Sequence, residues 1–180
     1  SKTGNRQHNT NRNRDRRRFI LSSVPEEQVV LGLGSNTGES LAILKRAIAD
    51  IALILRTMRV SSLYLTMPQD VQEQNDYCNM VATGWYSGTP ESLLESVQTI
   101  EKRYGRNRDE EILKGPRTLD VDILLFGSRI VRTDLLVVPH ERMANRQFAL
   151  IPLLELLPDS TEPGSGTPYR TILDNLPDQG

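Results

Sequence analysis

Two aspartates, Asp120 and Asp122, stand two residues apart in the stretch Gly115-Pro116-Arg117-Thr118-Leu119-Asp120-Val121-Asp122-Ile123-Leu124-Leu125. Apolar and polar residues alternate there and β-branched residues are present, which predicts a strand. Side chains alternate faces along a strand, so Leu119, Val121, Ile123 and Leu125 are expected on one side and the two carboxylates together on the other. Carboxylates that close repel each other unless a cation lies between them. Mg²⁺ suits the pair, being a hard ion held by one or two carboxylates and completed by substrate phosphates. The flanking Arg117 points the same way, because phosphate sites join an anion-binding group to a metal. The competing reading is a solvated strand face that happens to carry two acids.

The elements expected to position this pair read in order. Gln28 to Gly34 is a short apolar run that predicts a buried strand, followed by a turn, Gly34-Ser35-Asn36-Thr37-Gly38-Glu39. The turn lacks the third glycine of a dinucleotide fingerprint and the lysine of a phosphate loop, so it is read as structural. Leu41, Leu44, Ile48, Ile51 and Leu55 recur at helical spacing from about Ser40 to Arg56. Met58 to Thr66 alternates and predicts a second strand. Residues 67–76 form a polar loop whose length suits a lid. Tyr77 to Tyr86 is a third strand, with Tyr77, Asn79, Val81, Thr83 and Trp85 on one face and Cys78, Met80, Ala82 and Gly84 on the other. Tyr77 and Asn79 could stack on a flat heterocycle and read its edge, or simply occupy a sheet rim. Thr89-Pro90-Glu91 opens a helix that runs to Tyr104 and stops at Gly105.

That order is strand, helix, strand, strand, helix, strand, the split βαβ, ferredoxin-like arrangement of the α+β class. Both helices would then cover one face of an antiparallel sheet and leave the other open, with Asp120, Asp122, Tyr77 and Asn79 together on it. Beyond it, Arg129 to Val138 suggests a strand pair. Pro139 to Phe148 gathers His140, Arg142, Arg146 and an aromatic ring, Ala149 to Leu157 is a buried helix or turn, and Thr167-Pro168 opens a short last helix.

Composition narrows the function classes. The 180 residues carry 22 basic and 23 acidic side chains. Residues 1–18 hold seven of the bases and one acid, leaving the remainder with 15 bases against 22 acids. An acidic body is not a general polyanion binder, so any nucleic-acid affinity is expected in the tail. Residues 1–27 are read as a disordered basic tail, a solvated leader sooner than an RNA- or membrane-binding arm. Residues 28–180 are read as a single domain. One cysteine, Cys78, allows no internal disulfide and no cysteine cluster for zinc, which fits the reducing cytoplasm. No apolar run is long enough to cross a bilayer. A monomer is favoured.

Three further stretches join the aspartate segment. They are Leu33-Gly34-Ser35-Asn36, Asp76-Tyr77-Cys78-Asn79, and Pro139-His140 with Asn145-Arg146-Gln147-Phe148. Together, over about residues 28–160, the chain resembles the 6-hydroxymethyl-7,8-dihydropterin pyrophosphokinase family of folate biosynthesis. The resemblance implies a ferredoxin-like fold and transfer of pyrophosphate from ATP to the pterin alcohol, releasing AMP. It implies that Asp120 and Asp122 hold two Mg²⁺ ions. It implies that Arg106, Arg108, Arg117, His140 and Arg146 grip the triphosphate or lie near the nucleotide, with Arg106, Arg117, Asp122 and His140 closest to the chemistry. Gln98 and Glu101 match nucleotide-side positions. Tyr77 and Phe148 would sandwich the pterin, with Asn79 and Thr66 reading its edge, while loops 67–76 and 106–115 close over the substrates. The chain departs from the family pattern at Asp109, Lys114 and Glu141, all in the lid and nucleotide shell. Two other readings stand beside this one: a catalytically weakened homologue, and a ferredoxin-like RNA-binding module, whose sheet would carry mid-strand aromatics where this one has acids.

Overall fold

The computed structural model describes residues 25–67, 76–104 and 119–179. Seven strands and four helices appear among them. β1 (Glu27–Ser35), α1 (Ser40–Ile51), β2 (Arg56–Val60), β3 (Tyr64–Thr66), β4 (Tyr77–Tyr86), α2 (Pro90–Arg103) and β5 (Asp120–Phe126) form the main unit. β6 (Val131–Arg132), β7 (Val137–Val138), a 3₁₀ turn at Met143–Asn145, α3 (Gln147–Leu156) and α4 (Tyr169–Asp174) follow. The central sheet runs β2-β4-β1-β5, with β3 pairing β4 beside β2. Every pairing in it is antiparallel. This is the ferredoxin-like arrangement expected from the element order, with the second strand broken in two around residues 61–63. The segments Gly115–Thr118 and 106–115, most of the tail 1–27 and all but the ends of loop 67–76 lie outside the described residues.

α1 and α2 cover one face of the sheet. Val29, Leu31, Leu33, Met80, Ala82, Val121 and Ile123 pack there against Ile43, Leu44, Ala47, Leu93, Val97 and Ile100. The buried stripe of α1 is Ile43, Leu44, Ala47 and Ile51. Leu41, expected on that stripe, is 52% exposed. Helical spacing alone admits both stripes, and the neighbouring strands select one. α2 begins as its sequence dictates: Thr89 Oγ1 accepts the Ser92 N–H at 3.1 Å, Ser92 Oγ accepts the Thr89 N–H at 3.0 Å, and Pro90 occupies the first turn.

The other face is not wholly open. Val30, Val81, Leu124 and Leu125 form a second core with Met143, Leu150, Leu153 and Tyr169. α3 is apolar nearly all round, as a helix lodged between sheet and C-terminal segment must be. Its coverage stops short of the end of the sheet where β5 begins.

β5 also departs from strict alternation. Val30 pairs with Leu125 but Leu31 pairs with Ile123, so Leu124 is an extra residue opposite a single step of β1. Up to Ile123 the faces fall as expected. Beyond it Leu125 turns to the second core, and Phe126 joins the first, edge-on to Tyr86 with ring centres 6.1 Å apart.

Candidate functional site

Cross-strand register brings the expected residues together. Gly34 is the partner of Asn79 on one side and of Asp120 on the other. Gly32 stands in the same way between Val81 and Asp122. Paired residues share a face, so Asp120, Asp122, Asn79 and, two residues along, Tyr77 all lie on the face that α3 leaves uncovered. The backbone positions of the two carboxylates are one pleat repeat, about 7 Å, apart along β5. Between Asp120 and Asn79 no side chain rises from β1, which leaves a shallow trough floored by Gly34, whereas at Gly32 the Leu124 side chain lies over the backbone. A Cβ on Gly34 would sit 3.2 Å from Asn79 Oδ1, and one on Gly32 would sit 3.3 Å from the Leu124 side chain. Both glycines are missed by a reading of the sequence alone. The signal was their spacing of two in a strand, which puts both on one face.

The far side of the trough is set by β3 and β4. Asn79 Nδ2 donates to Thr66 Oγ1 at 3.0 Å, leaving Oδ1 over Gly34. Thr66 pairs with Tyr77, which is half-buried. An aromatic face, an amide oxygen and a threonine hydroxyl thus line one side of the trough. Phe148 is carried in the first turn of α3 and is half-buried. The Arg146 guanidinium lies over the Phe148 ring, 5.3 Å from its centre. No side chain of Arg146 caps the helix. Gln179 does so from the C-terminal segment: its Oε1 accepts the Gln147 N–H at 2.9 Å and its Nε2 donates to the Asn145 carbonyl at 2.8 Å.

His140 is brought to the carboxylates by its own backbone. Its N–H donates to the Leu124 carbonyl at 3.0 Å. Its ring Nδ1 accepts the Arg142 N–H at 3.3 Å, so in the neutral ring the proton sits on Nε2. Nε2 faces Asp122 Oδ2 at 3.8 Å. Nearby, a cleft of about 650 Å³ runs from His140 past Arg132, Val137 and Glu141 to Tyr169.

Gln98 and Glu101 lie on α2, on the opposite side of the sheet from the carboxylates. Glu101 is 1% exposed, and its Oε1 accepts the Val121 N–H of β5 at 2.9 Å. β5 is an edge strand, so this carboxylate closes a backbone donor that no neighbouring strand takes. Arg106, Arg108 and Arg117 lie outside the described residues. The turn after β1 has the structural character expected of it. Ser35 and Asn36 are buried, Ser35 Oγ meets Ser40 Oγ at 2.9 Å, and Thr37 N–H donates to Ser40 Oγ at 2.9 Å.

Among the described residues no three His, Cys, Asp or Glu side chains form a metal cage. Two carboxylates on one strand face, both partly exposed, are a donor set that would suit a hard cation completed by ligands from outside the protein. The residues fit Mg²⁺ in that sense.

The family described as 7,8-dihydro-6-hydroxymethylpterin-pyrophosphokinase matches residues 30–158. The chain belongs to this pyrophosphokinase family. A Synechocystis 2-amino-4-hydroxy-6-hydroxymethyldihydropteridine pyrophosphokinase is 40% identical over 149 residues, 82% of this chain and 75% of that protein. The protein of the same name in Bacillus subtilis is 41% identical over 128 residues, 70% of this chain and 75% of its own length. Longer relatives exist as well. The Schizosaccharomyces pombe folic acid synthesis protein fol1 is 36% identical over 88% of this chain, which spans only 22% of fol1. The crystal structure of wild-type Plasmodium falciparum HPPK-DHPS superposes with a TM-score of 0.66 at 13% identity, over 85% of this chain and 45% of that one. That likeness concerns the fold. For the pyrophosphokinase family member described here, no helix among the described residues is long and apolar enough to cross a membrane.

Proposed function

We propose that the protein transfers pyrophosphate from ATP to 6-hydroxymethyl-7,8-dihydropterin, giving the pterin diphosphate and AMP in folate biosynthesis. The observation that carries this reading is the single register row Asn79–Gly34–Asp120, which sets a ring-reading amide and a metal-binding acid on either side of a bare glycine. A flat ring held at Asn79 would reach across Gly34 with its hydroxymethyl arm toward the phosphates at β5.

In this reading Tyr77 and Phe148 stack on the pterin, and Asn79 Oδ1 accepts from its amide-like edge while Thr66 holds the other end of the Asn79 amide. The hydroxymethyl oxygen attacks the β-phosphorus. The bond from that phosphorus to the α,β-bridging oxygen breaks, and the bridging oxygen leaves with AMP. Asp122 would take the hydroxyl proton. Asp120 and Asp122 would hold two Mg²⁺ ions, which when bound offset charge on the attacking and leaving oxygens and on the phosphoryl groups between them. His140, whose Nε2 faces Asp122, and Arg146, whose guanidinium lies over the Phe148 ring, would offer donors suited to phosphate oxygens. Arg106, Arg108 and Arg117 would complete the grip on the triphosphate from segments 106–115 and 115–118, and Gln98 and Glu101 would serve the nucleotide from α2 at the β5 edge of the sheet, Glu101 indirectly, through the Val121 N–H that it holds. Residues 28–180 make up the catalytic domain, with the basic stretch 1–27 outside it.

The test is to mix the protein with ATP, Mg²⁺ and the reduced pterin alcohol and follow AMP. Pterin-dependent AMP is the expected result. AMP no higher than in the pterin-free control overturns the reading.

A further inference from the structure

α3 carries Phe148 in its first turn and Glu155 near its end. Seven residues make two helical turns less about 20°, so the two side chains share one stripe, about 10 Å apart along the axis. Ile151 lies between them on that stripe and is 39% exposed. Leu150, Leu153 and Leu154, on the opposite side, are buried in the second core.

Glu155 has both oxygens engaged. Oε1 accepts the Ser62 N–H at 2.8 Å and the Ser62 hydroxyl at 2.7 Å, and Oε2 accepts the Tyr64 hydroxyl at 2.7 Å. These donors hold the Glu155 carboxyl below the usual carboxylate range, Tyr64 contributing most. Arg59 Nη2 adds a bond to the Leu156 carbonyl at 3.1 Å. Ser62 lies in the break between β2 and β3, and Tyr64 is the cross-strand partner of Asn79. Two residues farther along the same three-residue strand, Thr66 takes the Asn79 amide and pairs with Tyr77.

One end of α3 is therefore fastened to the short strand that carries Thr66, and the other end carries the ring of Phe148. Apolar contacts hold α3 down on the sheet but do not fix how far it slides along β3. Directional bonds do. We propose that Glu155 is a positioning residue for the pterin: by tying α3 to Ser62 and Tyr64 it sets the spacing between Phe148 and the Thr66–Tyr77–Asn79 wall, without touching substrate. The proposal rests on the pyrophosphokinase reading above and adds a determinant of ring affinity remote from the reacting atoms.

The experiment compares wild type with Glu155→Ala, Glu155→Gln and Tyr64→Phe, measuring kcat, both KM values and the melting temperature. Glu155→Ala should raise the pterin KM by about fivefold or more, the size of one or two lost hydrogen bonds, with kcat and the ATP KM within about twofold. Glu155→Gln keeps one acceptor oxygen and should fall between wild type and alanine, and Tyr64→Phe should give a smaller rise. A pterin KM unchanged in a folded Glu155→Ala variant overturns the proposal, as does an equal rise in both KM values. Should Glu155→Ala fail to fold, an unchanged pterin KM in Tyr64→Phe does the same. Calorimetric titration with the pterin, in the presence of Mg²⁺ and a non-hydrolysable ATP analogue, separates the two claims. A wild type that binds the pterin yet makes no AMP overturns the transfer reading alone, and the clamp is then judged by the loss of pterin affinity in Glu155→Ala. A wild type that binds no pterin overturns both.

Discussion

On the face beneath α1 and α2, β1, β4 and β5 are apolar through their middle, with Val29, Leu31, Leu33, Met80, Ala82, Val121 and Ile123 all 8% exposed or less, and Glu27 and Ser35 closing the two ends of β1. On the opposite face the same three strands change character half-way. Val30, Val81 and Leu125 join the second core with α3, Asp122 stands in the same register row as Val81, and the next row is Asn79, Gly34 and Asp120. The difference assigns tasks. Burial on the first face and on half of the second supplies the stability of the unit. The remaining strip buries little, so it can hold acids and bare backbone at small cost to the fold.

One substitution in β5 and one in β1 test whether the two faces are separable. Asp120→Ala should cut transfer at least about a hundredfold while leaving the urea midpoint near that of wild type. Leu31→Ala, on the sealed face, should lower stability by about 3 kcal/mol in urea denaturation and keep turnover per folded molecule. A Leu31 variant that is stable but inactive would mean that the two faces are not separable in this way.

Glycines on opposite faces sharpen it. Alanine at Gly34 brings a methyl group to 3.2 Å from Asn79 Oδ1, and should raise the pterin KM about tenfold, or about 1.4 kcal/mol, more than the ATP KM. Gly84→Ala instead meets Leu55 Cβ at 2.9 Å and the Arg56 carbonyl at 3.1 Å. Its cost should appear as about 1–3 kcal/mol of stability, measured by denaturation, with the ratio of the two KM values unmoved.

The smallest effect is expected in the second core. Tyr169 is fully buried, and its hydroxyl finds no partner among the described residues. Burial also pushes the Tyr169 phenol far above its usual range, so it stays neutral at any working pH. Removing that oxygen with Tyr169→Phe should leave stability unchanged or raise it by up to about 1 kcal/mol in thermal denaturation. A clear loss would show that the hydroxyl is satisfied and that this half of the face is less apolar than described.

Much of this was legible in the chain. The order of elements, the shared face of Tyr77 and Asn79, and the outward turn of Asp120 and Asp122 follow from period-two alternation, and the start of α2 from Thr89-Pro90. Three features were not legible, each for a physical reason. α3 is apolar on nearly every side, so its sequence marks it as buried without saying against which face. The apolar residues of the second strand, Val60 and Leu65, are 39% and 64% exposed, because β2 and β3 share one edge of the sheet and, paired with Ala82 and Cys78, these two side chains point to the face of α1 and α2, which do not cover that edge. Leu125 was expected beside Val121 and Ile123, and the extra residue before it reverses its direction, a shift that three consecutive apolar residues, Leu124-Leu125-Phe126, cannot signal.

That extra residue also bears on the chemistry. β5 is an edge strand, so its carbonyls in a regular ladder alternate between the rungs to β1 and the open edge. The supernumerary position gives the strand one carbonyl that belongs to no rung, and His140 hangs from it. The imidazole is thereby indexed to the sheet itself, two residues from Asp122, and not to the long connection that delivers it. Variation in the β6–β7 hairpin can accordingly proceed without moving the histidine, as long as the chain comes back to that hook.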